Sequence, residues 1–227
     1  MKKKNKNIIL ENISVTDYAA EGKAIARIDG KVIFISGAVP GDTADIMLTK
    51  NKKDWAEARA LRITVPAPDR VVPFCKHFGI CGGCKWQMLP YEKQLQYKQQ
   101  EAEQNLKRIG KVELPEIMPI IGCGNSAHYR NKLEFTFSNK RFLTSDEIGS
   151  ENVVAQQDAL GFHVPRIFDK VIDIFECYLM DDVNNKIRNT IRDFAKQQGF
   201  AFYDIKEHTG WLRNIIVRYC GTGELMV

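Results

Sequence analysis

Three cysteines that fall within ten residues constrain this chain more than any other feature. They are Cys75, Cys81 and Cys84, and Gly82 and Gly83 separate the last two. Two thiolates with two residues between them can bind one metal centre when the intervening loop curls tightly. The glycine pair permits that curl because it lacks Cβ atoms, and it lets backbone N–H groups face sulfur. The sequence therefore predicts a metal-binding loop over residues 75–84.

A four-ligand centre needs one further donor from elsewhere in the chain. The candidates are the remaining cysteines and the histidines, of which His77 is nearest: Cys123, Cys177, Cys220 and His77. Zinc sites commonly pair two short Cys-x2–4-Cys units, and this chain has only one. Three clustered cysteines and a distant one suit a cubane cluster better, so the spacing favours iron–sulfur and leaves zinc open.

The composition indicates a globular protein outside the secretory pathway. Hydrophobic residues make up 44% and charged residues 27% of the chain, and no apolar run approaches the ~20 residues that cross a bilayer. The basic start is not followed by the apolar segment of a signal peptide. We therefore expect a cytoplasmic protein with reduced thiols and no membrane partner. The net charge is +5, and its basic excess in residues 1–140 suits a polyanionic partner.

The first part of the chain has the pattern of a small β-barrel. Asp29 and Gly30 form a strong hairpin signal because both positions of such a turn favour positive φ. Five short strands in fewer than 70 residues predict an all-β, OB-like closed barrel over residues 1–68, ended by the linker Pro66–Asp69. The predicted strands cover residues 8–15, 23–28, 32–35, 44–48 and 55–65.

The rest of the chain mixes helices and strands. A first helix is predicted over residues 91–109 with Gly110 as its C-terminal cap, and a second over 183–198. A turn at Gly221–Gly223 precedes an end that we expect to lie inside a strand. This pattern predicts an α+β domain over residues 69–227 that is truncated at its C-terminal end. Its predicted strands cover residues 132–137, 171–174, 201–205 and 212–218.

Several motifs resemble those of one enzyme family in the same order along the chain. The segment Cys81–Gln87, followed by Tyr91, Gln94 and Lys98, resembles the cluster-binding segment of the bacterial RNA (uracil-C5)-methyltransferases. Upstream segments are similar to the family's RNA-binding TRAM module: residues 20–26, 29–30, 34 and 37–42. Downstream segments are similar to its central domain: residues 129–132, 160–163 and 171–177.

This resemblance implies the cofactors and the partner. It implies a [4Fe-4S] cluster held by Cys75, Cys81, Cys84 and Cys177, and S-adenosylmethionine as methyl donor of the intact enzyme. The implied substrate is a uridine of RNA, in 23S ribosomal RNA rather than transfer RNA, which places the intact enzyme in rRNA processing. DNA is not an expected partner, and a monomer is expected.

The resemblance also implies a Rossmann-like methyltransferase domain that carries a nucleophilic cysteine and a general base. No helix follows the glycines at 221–223, so we expect that domain to be absent from this chain. Cys123 and Cys220 read as ordinary thiols, and no catalytic or S-adenosylmethionine-binding residue is assigned. The expected function is that of an RNA-binding, cluster-bearing portion that is itself catalytically inert. The alternative is a complete zinc-containing RNA-binding protein without enzymatic activity.

Basic residues beside the predicted turns and strands are the candidates for RNA binding. Such side chains neutralise backbone phosphates, although each could equally be a solvated surface charge. Arg130 and Lys132 are the strongest pair because they share one face of a predicted strand. The full set comprises Lys23, Arg27, Lys31, Lys52, Lys53, Arg130, Lys132, Arg213 and Arg218.

Overall fold

The computed structural model describes residues 8–148 and 157–227, which fall into two compact units. The first unit comprises residues 1–74 with 85–122, and the second comprises 75–84 with 123–227. Each has its own hydrophobic core. The boundary predicted at residue 68 stays a prediction, but the compact units are divided differently, because the cysteine loop groups with the second half of the chain.

The first unit contains a six-stranded sheet in the order β1-β5-β6-β4-β3-β2. Neighbouring strands are antiparallel, except that β4 and β6 run parallel. Because β1 and β2 follow each other in the chain, a single segment supplies both ends of the sheet, which curves around a small apolar core. The strands are β1 (Ile9–Ser14), β2 (Asp17–Ala19), β3 (Lys23–Ile28), β4 (Lys31–Ser36), β5 (Thr43–Asn51) and β6 (Trp55–Val65).

The turn between β3 and β4 confirms the hairpin prediction. Asp29 and Gly30 have φ angles of 48° and 78°, as a two-residue turn of this hand requires. Strand β2 was not predicted because its three residues are too few to show an alternating pattern. It leads into a single 3₁₀ turn at Ala20–Gly22.

Helix α1 (Tyr91–Gln104) continues into a π-helical turn at Asn105–Ile109. The predicted helix over residues 91–109 is therefore confirmed, and Gly110 is its C-cap as predicted. Gly110 has a φ of −70° and its N–H bonds to the Asn105 carbonyl, whereas Lys111 takes the left-handed conformation at 53°.

The second unit is built on an antiparallel sheet in the order β11-β10-β7-β8-β9. Its core includes Phe135, Leu160, Ile174 and Met180. Among the described residues, no helix is both long and apolar enough to cross a membrane. The elements are β7 (Lys132–Ser138), α2 (Ser145–Ile148), β8 (Ala159–His163), β9 (Val171–Asp173), α3 (Val183–Gln197), β10 (Asn214–Tyr219) and β11 (Leu225–Met226).

The predicted strand at residues 201–205 is wrong. That segment makes only isolated bridges, a parallel one from Phe202 to Leu212 and an antiparallel one from Asp204 to Thr209. Its apolar alternation arises because Phe202 fills the core while its neighbours face outward. The turn at residues 221–223 is confirmed, since the Cys220 N–H bonds to the Glu224 carbonyl across it.

Candidate cluster site and nucleic-acid interface

The loop that carries three cysteines is closed by its own backbone. The Phe78 N–H bonds to the Cys75 carbonyl at 3.1 Å, and the Cys81 N–H bonds to the His77 carbonyl at 2.8 Å. The Gly83 N–H donates to the Cys81 Sγ at 3.3 Å. This contact confirms the expectation that the glycine pair turns an N–H group toward sulfur, as ligand loops of iron–sulfur clusters do.

Of the two glycines between Cys81 and Cys84, Gly82 has the closer neighbours. A Cβ added at Gly82 would lie 3.2 Å from the His163 carbonyl oxygen. One added at Gly83 would lie 3.4 Å from the Cys81 Sγ and 3.8 Å from Leu179 Cδ1. The loop therefore approaches the His163 carbonyl closely at Gly82, whereas a Cβ at Gly83 would make ordinary van der Waals contacts.

Cys177 is buried in the core of the second unit, and Cys81 and Cys84 pack against that core. Its backbone is held by the start of α3. The Cys177 N–H donates to Asn185 Oδ1 at 2.8 Å, and its carbonyl accepts from Asn184 Nδ2 at 3.3 Å. These bonds fix Cys177 with respect to a helix rather than leaving it on a loose loop.

Arg188 lies entirely buried, one helical turn after these two asparagines. Its guanidinium donates to Asn184 Oδ1 at 3.0 Å, to Asn185 Oδ1 at 2.8 Å and to the Ile174 carbonyl at 2.9 Å. Burial lowers the pKa of Arg188 to about 10, and the Cys177 thiolate would oppose that shift. Sequence reasoning missed this network. The sequence signal that could have revealed the network is a set of polar residues at helical spacing on the buried face of α3.

The thiols influence one another electrostatically. Burial raises the pKa of the Cys81 thiol to about 11, against the lowering effect of the Gly83 N–H. The thiols that add to this increase are those of Cys84, Cys177 and Cys75. Burial also raises the pKa of Cys177. A metal that bound these thiols would displace their protons.

The ligand set itself stays a prediction. Within residues 8–148 and 157–227, no group of three or more His, Cys, Asp or Glu side chains is arranged to hold a metal ion. All six cysteines belong to these residues, and none of them forms a disulfide. Cys123 and Cys220 are exposed, and hydrogen bonding by Thr222 lowers the pKa of Cys220.

The basic candidates of the first unit differ in their surroundings. Lys23 forms ion pairs with Glu21 at 3.5 Å and with Glu57 at 3.9 Å, which neutralise it. Lys31 donates to Asn51 Oδ1 at 2.8 Å. The remaining three are exposed: Arg27, Lys52 and Lys53. Their role in binding RNA stays a prediction.

In the second unit, two basic candidates lie directly opposite each other. Lys132 of β7 is the cross-strand partner of Arg218 of β10, and both are exposed. Like charges in this position destabilise a sheet, so the pair is suited to an anion that bridges it. Arg130 precedes β7 and is exposed, while the Arg213 guanidinium lies 4.9 Å from the Tyr203 ring centre.

Comparison with known proteins adds the family context. The TRAM domain model matches residues 11–61. An uncharacterized RNA methyltransferase of Bacteroides thetaiotaomicron is 53% identical over 209 residues, covering 92% of this chain and 46% of the relative. One of Porphyromonas gingivalis is 44% identical over 220 residues, covering 95% and 47%. The chain is similar to RNA methyltransferases. It spans about half the length of the curated relatives it matches.

A solved structure shares the fold. The Pyrococcus abyssi tRNA (uracil-54, C5)-methyltransferase, solved in complex with S-adenosyl-L-homocysteine, matches with a TM-score of 0.60 at 23% identity. The match covers 94% of this chain and 44% of that one. Nearly all of this chain therefore takes a fold that occurs within a methyltransferase.

This match corrects the predicted fold class. We expected an all-β OB-like barrel and an α+β domain, with the methyltransferase fold absent from the chain, and that description is wrong. The described molecule is mostly sheet with two long helices, α1 and α3, and 94% of it follows the fold of a solved methyltransferase. The prediction relied on a glycine motif typical of parallel dinucleotide-binding sheets, which a largely antiparallel fold does not need.

The predicted function is corrected as well. We expected a catalytically inert RNA-binding and cluster-bearing portion, or alternatively a complete zinc-containing RNA-binding protein. Both are wrong, because the relatives that match 92% and 95% of the chain are RNA methyltransferases rather than binding proteins. Activity was expected to depend on catalytic motifs within the chain, whereas the similarity that relates it to enzymes extends over more than nine-tenths of its length.

Proposed function

We propose that the protein is an S-adenosylmethionine-dependent RNA methyltransferase that modifies C5 of a uracil, with ribosomal RNA as its substrate. The observation that carries the proposal is the similarity to RNA methyltransferases over at least nine-tenths of the chain, at up to 53% identity. The matching solved structure is a uracil-C5 enzyme, which supports the choice of base. S-adenosylmethionine supplies the methyl group as an electrophile.

The residues of this chain would bind the RNA substrate. The TRAM match and the opposed pair Lys132 and Arg218 support an RNA partner, because phosphates relieve the repulsion between two neighbouring cations. The exposed Arg27, Lys52 and Lys53 would add phosphate contacts in the first unit. Phosphate contacts of this kind position the substrate without reading its sequence.

Four cysteines of the second unit would hold a [4Fe-4S] cluster, namely Cys75, Cys81, Cys84 and Cys177. The support is chemical: a glycine-bent loop with an N–H donated to sulfur, a Cys81 thiol whose pKa is raised by burial and by the neighbouring thiols, and a Cys177 backbone fixed by α3. With four cysteines the cluster would be closed and structural, tying the 75–84 loop to the Cys177 segment.

The proposed activity is tested by methyl transfer. The protein expressed from its natural gene is incubated with tritiated S-adenosylmethionine and with ribosomal or transfer RNA transcripts, and the RNA is digested to nucleosides. We expect label in 5-methyluridine from ribosomal RNA. Label only from transfer RNA would reject the ribosomal assignment, and label in another nucleoside would reject uracil C5. No transfer to any RNA would refute the proposed activity.

The ligand assignment is tested with Cys177→Ala, compared with Cys220→Ala as the matched control. We expect Cys177→Ala to lose bound iron and acid-labile sulfide and to lower the melting temperature of the second unit, because cluster binding and folding are coupled. Cys220→Ala should keep both. Full iron content in Cys177→Ala would show that this residue is not a ligand.

A further inference from the structure

Three aromatic rings form a row on the surface of the second unit, outside the candidate cluster site. The Phe194 and Phe200 ring centres lie 6.0 Å apart, and those of Phe200 and Trp211 lie 4.8 Å apart. Both contacts are edge-to-face, at 72° and 86°. Phe194 remains 54% exposed and Trp211 70% exposed. The row therefore leaves its two outer rings largely in solvent.

The backbone holds Trp211 in this exposed position. The N–H groups of Trp211 and Leu212 both bond to the Ala201 carbonyl, at 2.9 and 3.0 Å. Gly210, just before, has a φ of 107°, and a Cβ there would lie 2.5 Å from the Phe202 carbonyl oxygen. Only glycine fits this backbone, so the segment is built around a fixed geometry that presents the indole to solvent.

Cationic and polar side chains follow Trp211 along the chain or lie near those that do. Trp211 and Arg213 are exposed and Leu212 between them is half-buried, so the two exposed side chains share one side of the extended segment. The Arg213 guanidinium lies 4.9 Å from the Tyr203 ring centre, and the Tyr203 hydroxyl lies 3.3 Å from His208 Nδ1. An exposed cation thus lies two residues along the chain from Trp211, an outer ring of the row.

We propose that the row of Phe194, Phe200 and Trp211 binds unpaired bases of a single-stranded RNA segment, with Arg213 against its phosphate. This inference rests on the proposed RNA substrate and adds where unpaired RNA is held. Exposed rings stack on any base, and a neighbouring arginine neutralises the backbone. The outer rings of the row are exposed and the nearby Arg213 is positively charged, which favours RNA over a protein partner.

The test measures the affinity of the full protein for two fluorescein-labelled RNAs of equal length, one single-stranded without self-complementarity and one a blunt duplex. We expect Trp211→Ala to weaken single-strand binding about tenfold and to leave duplex binding unchanged. Trp211→Phe should keep most of the affinity because it keeps a ring. Phe194→Ala, at the other end of the row, should weaken single-strand binding in the same way.

Phe168→Ala is the matched control. Phe168 is 66% exposed and has the Lys206 ammonium 5.7 Å from its ring centre, but it is a single ring outside the row, so its removal should leave both affinities unchanged. Unchanged single-strand binding in Trp211→Ala and Phe194→Ala would overturn the inference. A lower melting temperature or a changed oligomeric state with unchanged RNA affinity would assign the row to protein contacts instead. If the unaltered protein binds no RNA, the result contradicts the proposed function itself and not only the role of the aromatic row.

Discussion

Gly22 is the residue at which the absence of a side chain most clearly shapes the first unit. Its φ is 73°, and a Cβ there would lie 2.2 Å from Trp86 Nε1. The Trp86 ring cannot move away freely, because Tyr18 contacts it edge-on at 4.8 Å and the Lys98 ammonium lies 5.4 Å from its centre. Two constraints, one of backbone and one of packing, therefore act on the same position.

We expect Gly22→Ala to destabilise the protein by about 2–4 kcal/mol, because left-handed strain and steric overlap add. Gly30→Ala separates the two effects. Gly30 has a φ of 78° but nothing within 4 Å of an added Cβ, so its substitution should cost only the strain, about 1–2 kcal/mol. Urea denaturation measures both. Equal losses would show that the contact with Trp86 imposes no constraint.

Asp42 is a fully buried carboxylate whose charge is balanced by Arg70, with 2.6 Å between Oδ2 and Nη1. Arg70→Met should destabilise the protein by about 2–4 kcal/mol, because it leaves a buried charge without its partner. Arg62→Met is the control, since Arg62 is 73% exposed in its 2.8 Å pair with Asp45 and solvent screens that pair. The denaturation midpoint should fall clearly only for Arg70→Met.

Asp204 joins two segments of the second unit. Its carboxylate accepts from Lys140 Nζ at 2.7 Å and Asn139 Nδ2 at 3.2 Å, and from the N–H groups of Lys206 and Glu207. These bonds, that from Lys140 foremost, hold the pKa of Asp204 well below its ordinary value. A single carboxylate thus connects the end of β7 to the loop at residues 204–209.

The lowered pKa of Asp204 determines how the stability of the protein changes with pH. In the unfolded chain Asp204 titrates near pH 4, so its contribution is present above that pH and is lost as the pH falls below it. We expect the melting temperature of the unaltered protein to drop below about pH 4, and that of Asp204→Asn to drop less steeply there. Parallel acid profiles for the two proteins would contradict this assignment.

Elements with a strong local signal were predictable, and those set by distant contacts were not. The hairpin at Asp29-Gly30 and the extent of α1 and α3 follow from turn chemistry and helical periodicity. Residues 201–205 have the alternation of a strand, but they pair with residues 209–212 only through isolated bridges. This pairing depends on tertiary contacts, which a local sequence pattern does not predict.

For the molecule as a whole, the sequence suggested candidate ligands but not the side chains that surround them. The spacing of Cys75, Cys81 and Cys84 indicated a metal loop at once, whereas the buried Arg188 and its asparagine partners gave no comparable signal. A buried polar network is recognised only when its burial is known. The opposed pair Lys132 and Arg218 was also hidden, since cross-strand register depends on the pairing of strands far apart in sequence.

That opposed pair offers a test in which stability and function should change in opposite directions. Neither Lys132 nor Arg218 forms an ion pair with another described residue, and their exposed charges face each other across β7 and β10. If the pair serves the sheet, replacing it should weaken the fold. If it serves RNA, the replacement should relieve repulsion in the fold while removing phosphate contacts.

We therefore expect the double variant Lys132→Gln and Arg218→Gln to melt no lower than the unaltered protein, and to bind RNA more weakly. The slope of log Kd against log salt concentration should fall by about 2, roughly one for each lost phosphate contact. Lys186→Gln, which removes an exposed charge of α3, should leave that slope unchanged. A lower melting temperature with an unaltered salt slope would assign both cations to the sheet and remove this surface from the proposed RNA interface.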